Sequence, residues 1–443
     1  MKNFKHLICF ILFPLAALAQ NPSQQWLNRI NGTGDFNDHF NCTSIDASGN
    51  IYAAGFSINP GSRKDYLLVK FDAAGAIIWS KTKDGSGGKD DEILAMITDA
   101  SGNIYVTGYS KGDSTNDDIL TIKYDPTGNV SWETIFNNLS SNKDDQGNSI
   151  ALDSQGNVIV AGQSDSDPSL NSNDDYVLIK YNSSGTQTWT ANYNGSGNGK
   201  DRAIKVAVNG TNEIFVTGRS DNGLDDDIVT RKYSSAGDTV WTKIINNGMD
   251  DRPFDLKLDA NSNVYIAGFS NNGNNDDYIA LKYTSAGIAS WGNGVLYNSV
   301  NNLDDRAFAL AVDANGNCYL TGRSDSDPNV SNYDFCTIKV SSAGSITWNK
   351  IYNGTGLGTD EANSITLLSN GNILISGKSD VNASATLTDY SIVSISYSPT
   401  GNQIWLQSFS GVSDNVPTAN TSDNSSNVII VGTKSNILGS DDA

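Results

Sequence analysis

The side chains that this chain carries in chemically useful numbers are acidic. Of its 49 Asp and Glu, only Glu92, Glu133, Glu213 and Glu361 are glutamates. The aspartates recur as doublets between apolar runs. One series is Asp90-Asp91, Asp144-Asp145, Asp250-Asp251, Asp304-Asp305 and Asp360-Glu361. A second is Asp117-Asp118, Asp174-Asp175, Asp225-Asp226-Asp227 and Asp276-Asp277. Three chemistries suit them. Aspartates accept the amide protons of turns and keep an exported chain in solution. Calcium takes about six to eight oxygens, and the stretches holding Asp165 with Asp167 and Asp325 with Asp327 supply them, without the glycine or final glutamate of an EF-hand. Paired carboxylates about 5–9 Å apart hydrolyse glycosides, although among so many aspartates some pair meets that spacing by chance.

Other chemistries are excluded by composition. There are two histidines, His6 and His39, which leaves almost no room for Ser-His-Asp, Cys-His or multi-histidine metal sites. A net charge of −20 argues against nucleic acid, whose phosphates need a basic face. Lys2, Lys5 and His6 precede an apolar run, Leu7 to Ala16, and Ala17-Leu18-Ala19 follows. This predicts a signal peptide over residues 1–19, cleaved before Gln20, and a secreted or cell-surface protein. The run is too short for a transmembrane segment, and nothing later spans a bilayer as a helix. Cys42, Cys318 and Cys336 remain, too few for a disulfide framework. A Cys318–Cys336 bridge and two buried thiols are both compatible with the sequence.

The elements that position these residues repeat. Every tryptophan belongs to one series, Trp26, Trp79, Trp132, Trp189, Trp241, Trp291, Trp348 and Trp405, at intervals of 50 to 57 residues. A glycine series, Gly55, Gly108, Gly162, Gly218, Gly268, Gly322, Gly377 and Gly432, keeps the same phase. Within one period, Glu92–Thr98, Asn103–Tyr109, Asp118–Tyr124 and Asn129–Phe136 read as strands A to D, short and rich in β-branched and aromatic residues. Asp99-Ala100-Ser101-Gly102 and Asp125-Pro126-Thr127-Gly128 read as hairpin turns between them. Four antiparallel strands at a period near 50 are one propeller blade.

The strings "DDEILAMITDASGNIYVTGYS" and "DDRAFALAVDANGNCYLTGRS" resemble the SBBP β-propeller repeat of exported bacterial proteins, and the resemblance covers residues 26 to 435. The step from Gly128 to Trp132 more weakly resembles the tryptophan-docking step of quinoprotein-like propellers. The SBBP resemblance implies an all-β propeller and no common catalytic residues. Counting strands predicts one domain over residues 20–443 with eight blades, or seven. The strand around Trp26 would complete the last blade as its outer strand. The final repeat stops at Asp441-Asp442-Ala443, where its strand C should begin, so the sequence is expected to be a fragment of a longer chain.

In an up-and-down blade the A–B and C–D hairpins leave one end, and the B–C and D–A connections leave the other. The second set is long, variable and acidic, the place where recognition residues belong. Strand A begins and strand B ends there, which brings Arg202 near Arg219, Arg252 near Phe269, and Arg306 near Arg323, and in other units Glu92 near Tyr109 and Glu361 near Lys378. These arginines suit an anionic group, since the guanidinium fork binds carboxylate or phosphate bidentately. The competing expectation is that each pairs with its neighbour Asp201, Asp251 or Asp305. The strand C lysines, among them Lys123 and Lys232, are expected to lie on the outward sheet surface. The function expected from all this is a monomeric, non-enzymatic binding scaffold for a glycan, a protein or a small anion. The alternative is a polysaccharide hydrolase or lyase using carboxylates of the same face.

Overall fold

A computed structural model describes residues 8–13, 22–30, 38–59, 63–85, 87–112, 116–138, 143–165, 173–325, 332–356, 358–381, 390–409 and 415–434. Among them the protein is all-β: four-stranded antiparallel sheets in up-and-down order, the architecture of a propeller. Seven blades are each drawn from one continuous stretch, over residues 38–83, 91–136, 145–193, 202–245, 251–297, 305–352 and 361–409. We number these blades 1 to 7. One further sheet is composite. Asn415–Ser422 and Val428–Lys434 serve as its strands A and B, Ile8–Phe13 fills the place of strand C, and Ser23–Asn28 with Trp26 is the outer strand. The expected count of eight regular blades is corrected to that extent: the repeat itself builds seven. The strand C expected only beyond the end of the sequence has its place taken by residues that read as the signal peptide. Among the described residues no helix is long and apolar enough to cross a membrane.

The chain divides into two compact units. One holds residues 63–66 and 83–296, the other residues 1–62, 67–82 and 297–443.

The hairpins form for the reason the sequence suggests. In blade 2, Asp99 Oδ1 accepts the amides of Ser101 and Asn103, while Oδ2 accepts Asn103 Nδ2 and the Tyr105 hydroxyl. Asp46, Asp259 and Asp313 repeat this arrangement. These aspartates are architecture.

Blades then lock to each other through their outer strands. The indole N–H of Trp132 donates to Ser183 O, that of Trp189 to Ser235 O and that of Trp241 to Ser285 O, in each case the C–D hairpin of the following blade. The strand C lysines join them. Lys180 and Lys232 donate to the same Ser235 and Ser285 carbonyls. Their stems do not lie on an outward surface. Lys123 and Lys232 sit over the rings of Tyr105 and Phe215, their cross-strand neighbours on strand B, at 5.0 and 5.3 Å, and Lys180 and Lys232 reach across to the hairpin of the next blade. Trp132 is wedged between Tyr105 and Tyr181, at 6.3 and 6.2 Å between ring centroids. Trp132→Ala is therefore expected to cost about 2–4 kcal/mol, and Trp132→Phe, which keeps the ring and loses one hydrogen bond, about 1 kcal/mol. Urea unfolding measures both.

Candidate functional site

At the start of strand A in blades 2 to 7 a carboxylate is sealed under the D–A connection. Asp91, Asp145, Asp201, Asp251, Asp305 and Asp360 are all buried. Each accepts a backbone amide from the connection before it: Gly85, Asn138, Gly195, Asn247, Ser299 and Gly354, at 2.5 to 2.8 Å. Burial pushes Asp145 up to about 7 and Asp201, Asp251 and Asp360 up to about 6, against the serine hydroxyl and amide hydrogen bonds that pull the other way. A second aspartate adds to the rise: Asp118 faces Asp145, Asp175 faces Asp201, Asp227 faces Asp251 and Asp334 faces Asp360. The facing carboxylates thus come from strand C of one blade and the start of strand A of the next. They are not the sequence doublets themselves.

Two to four residues beyond that aspartate, strand A bulges. The register slips between Ile93 and Ala95, between Ala203 and Lys205, between Ala307 and Ala309, and at the same place in each strand A. The repeated glycine of strand B lies opposite. A Cβ on Gly108, Gly218 or Gly322 would run into the carbonyl oxygen of Glu92, Arg202 or Arg306. Glycine is therefore required by a close backbone approach beside the bulge.

The outcome is one cross-strand pair per sheet, at one position, with different chemistry each time. The pairs are His39–Phe56, Glu92–Tyr109, Gln146–Gln163, Arg202–Arg219, Arg252–Phe269, Arg306–Arg323, Glu361–Lys378 and Val416–Thr433. The strand A member is half-buried in every one, between two buried neighbours. Sequence spacing found five of the eight. It missed His39–Phe56, whose rings stack at 5.5 Å, and the glutamine and Val–Thr pairs, which carry no charge to draw the eye.

Arg202 and Arg252 are paired, but not with the expected Asp201 and Asp251, and Arg219 and Arg323 are paired as well. Arg202 donates through Nε and Nη2 to Asp174 of blade 3, at 3.0 and 2.6 Å. Arg219 and Arg252 converge on Asp226, at 2.7 and 2.8 Å, and Arg252 also reaches Asp250 at 2.9 Å. Asp201 and Asp251 are occupied by backbone amides beneath. In the other unit Arg306 lies opposite Arg323. The Arg323 guanidinium stands 4.1 Å over the Tyr333 ring and pairs with Glu361 of blade 7 at 2.8 Å. Glu361 lies 4.0 Å from Lys378. The equivalent place in blade 2 has Lys64 and the Tyr109 hydroxyl on Glu92 Oε2, at 2.7 and 2.9 Å. The five arginines fall into two groups, Arg202, Arg219 and Arg252 in one compact unit and Arg306 and Arg323 in the other.

The four aspartates proposed for calcium are only half described. Asp165 is buried at the end of strand B and meets Lys143 at 3.2 Å, so its charge already has a counter-ion. Asp325 is buried at the matching place in blade 6. Asp167 and Asp327 lie outside the described residues. The described carboxylates that come close enough to share a cation are others, Asp65, Asp84 and Asp91, with oxygens within 4.8 Å of one another. No disulfide joins the cysteines: Cys318 lies opposite Val340 and Cys336 opposite Gly322, four residues out of step. A polar cavity of about 610 Å³ opens at the hairpin end, lined by residues 43–49, 73 and 421–425.

The SBBP family, described as a beta-propeller repeat, matches residues 134–168. No curated protein matches the chain. Among solved structures, Sqt1 from Chaetomium thermophilum is 12% identical with a TM-score of 0.48, covering 76% of each chain. A protein of unknown function from Bacteroides caccae is 11% identical with a TM-score of 0.36, over 65% of this chain and 90% of that one. An ulvan lyase from a new polysaccharide lyase family is 10% identical with a TM-score of 0.40, over 84% and 91%. At this distance no function is carried across.

Proposed function

We propose that this SBBP-type propeller is an exported, non-enzymatic binding scaffold that reads its ligand with the paired residues at the ends of strands A and B. One observation carries the proposal. The buried aspartate, the bulge and the facing glycine recur from sheet to sheet, while the two side chains they present change from His–Phe to Glu–Tyr to Arg–Arg. A fixed scaffold with one variable position is how repeat proteins build recognition surfaces. The arginines, held in place by Asp174, Asp226 and Glu361, are preorganised forks for carboxylate, sulfate or phosphate groups. Exchange of one acidic partner for a ligand anion retains the charge balance.

The test is binding and turnover on one panel of neutral, uronate-containing and sulfated polysaccharides. Retention of an anionic member, weakened at least tenfold by Arg219→Gln or Arg323→Gln in variants that remain folded at the assay temperature, is the expected result. Each variant removes one charge-assisted hydrogen bond, about 1.5–3 kcal/mol. Chain cleavage abolished by Glu92→Gln or Glu361→Gln would instead establish the enzymatic alternative.

A further inference from the structure

The composite sheet takes its third strand from residues that read as a leader. Ile8–Phe13 pairs antiparallel with Val428–Lys434, from Ile8 opposite Gly432 to Leu12 opposite Val428. On its other side it pairs with Ser23–Asn28. Strand C holds that place in every continuous blade. Cleavage before Gln20, as the Ala17-Leu18-Ala19 step predicts, removes it.

The walls of the place do not depend on Ile8–Phe13. On the outer side, Trp26 stacks on Phe71 at 6.1 Å, Leu27 packs in the cluster of Leu374, Ile392 and Trp405, and Gln407 Nε2 donates to Pro22 O at 3.1 Å. On the inner side, Val428–Lys434 is held by pairing with Asn415–Ser422. Its Ile429 and Val431 belong to one apolar cluster, and its Val428 and Ile430 to another. Taking out the middle strand leaves a gap one strand wide with facing rows of backbone N–H and C=O. Buried groups of that kind must find partners, and open strand edges recruit them.

We propose that this gap is a strand-acceptor site, filled by Ile8–Phe13 in the precursor and, after cleavage, by an extended peptide of the strand C type. The occupant's chemistry follows from the continuous blades. Asp174–Tyr181 and Asp226–Tyr233 are buried at every position, because sheets cover both faces. An occupant must therefore accept burial of both faces for about six residues, largely apolar, with any cation near its end finding a carbonyl partner as Lys180 and Lys232 do. Ile8–Phe13 is apolar throughout. Main-chain hydrogen bonds supply affinity and the two apolar clusters supply selection, the logic of β-strand addition.

The test uses the full chain with a protease site inserted within residues 14–21, folded intact and then cut. The probe is a labelled peptide, Asp-Asp-Tyr-Ile-Ala-Leu-Lys-Tyr, copied from Asp276–Tyr283. The intact chain takes up no probe. The cut chain exchanges its N-terminal fragment for the probe, seen by anisotropy and by mass spectrometry of the released fragment. A probe carrying Ile279→Asp binds at least tenfold more weakly. No uptake by the cut chain, either directly or after refolding in excess probe, overturns the proposal, and so does equal uptake by intact and cut chains. Association of cut chains that excludes the probe assigns the place to a second copy and overturns the peptide ligand.

Discussion

Gly218→Ala is expected to destabilise the protein by about 3 kcal/mol or more, while Gly210→Ala leaves stability unchanged or slightly raised. The substitutions are chemically identical and the surroundings are not. A Cβ at Gly218 would occupy the space of the Arg202 carbonyl oxygen and the Tyr176 ring. Neither can give way. The carbonyl is fixed by the bulge between Ala203 and Lys205, and Tyr176 is buried with its hydroxyl donating to Val229 O at 3.2 Å. At Gly210 nothing lies within 4 Å, so a methyl group only narrows the unfolded ensemble, worth about 0.4–1 kcal/mol in favour of folding. Urea unfolding of the two variants beside the parent measures the contrast. Equal midpoints would mean that the repeated glycines do not mark a close approach. The same variant bears on recognition, because a shifted bulge moves Arg202 and Arg219 together.

The blade was legible in the sequence because its two strongest signals are both consequences of backbone geometry. The tryptophans recur since each must reach the next C–D hairpin, as Trp189 reaches Ser235. The glycines recur since each faces a bulge, as Gly218 faces Arg202. Partners across blades were not legible. Arg202 lies 28 residues from Asp174, and which acid it meets depends on how two sheets stack, which no period within one blade encodes. Sequence adjacency therefore pointed to Asp201, whose carboxylate is engaged with backbone amides instead. The lysines misled for a related reason. Alternation separates the two faces of strand C, but it does not say that a neighbouring blade covers the lysine face, as the bonds from Lys180 and Lys232 to the Ser235 and Ser285 carbonyls show.

Acidification from pH 8 to about 5.5 is expected to stabilise this protein, and further acidification below about pH 4 to destabilise it. Burial raises Asp145 to about 7 and Asp201, Asp251 and Asp360 to about 6 from an ordinary 3.8. A folded-state value above the unfolded one means that the fold prefers the protonated carboxyl. The contribution of these groups is fully present below about pH 3.8 and is lost as pH rises through 6 to 7. The hairpin aspartates have the opposite sign. At Asp99 burial opposes ionisation, but hydrogen bonds from Asn103, Tyr105 and Ser101 outweigh it and hold the carboxyl below its ordinary value, and Asp46 and Asp259 behave alike. Their contribution is present above pH 3.8 and lost below it. Relief of repulsion among the many surface acids also favours lower pH, so the pH slope alone is insufficient. Asp145→Asn and Asp238→Asn each replace one ionisable carboxyl by an amide, the first buried and the second exposed. Melting temperatures at fixed ionic strength from pH 5.5 to 8 separate them. Asp145→Asn should flatten the profile, by on the order of 1–3 kcal/mol across that window, and Asp238→Asn should leave its shape unchanged. Equal profiles for both variants would assign the pH dependence to net charge alone.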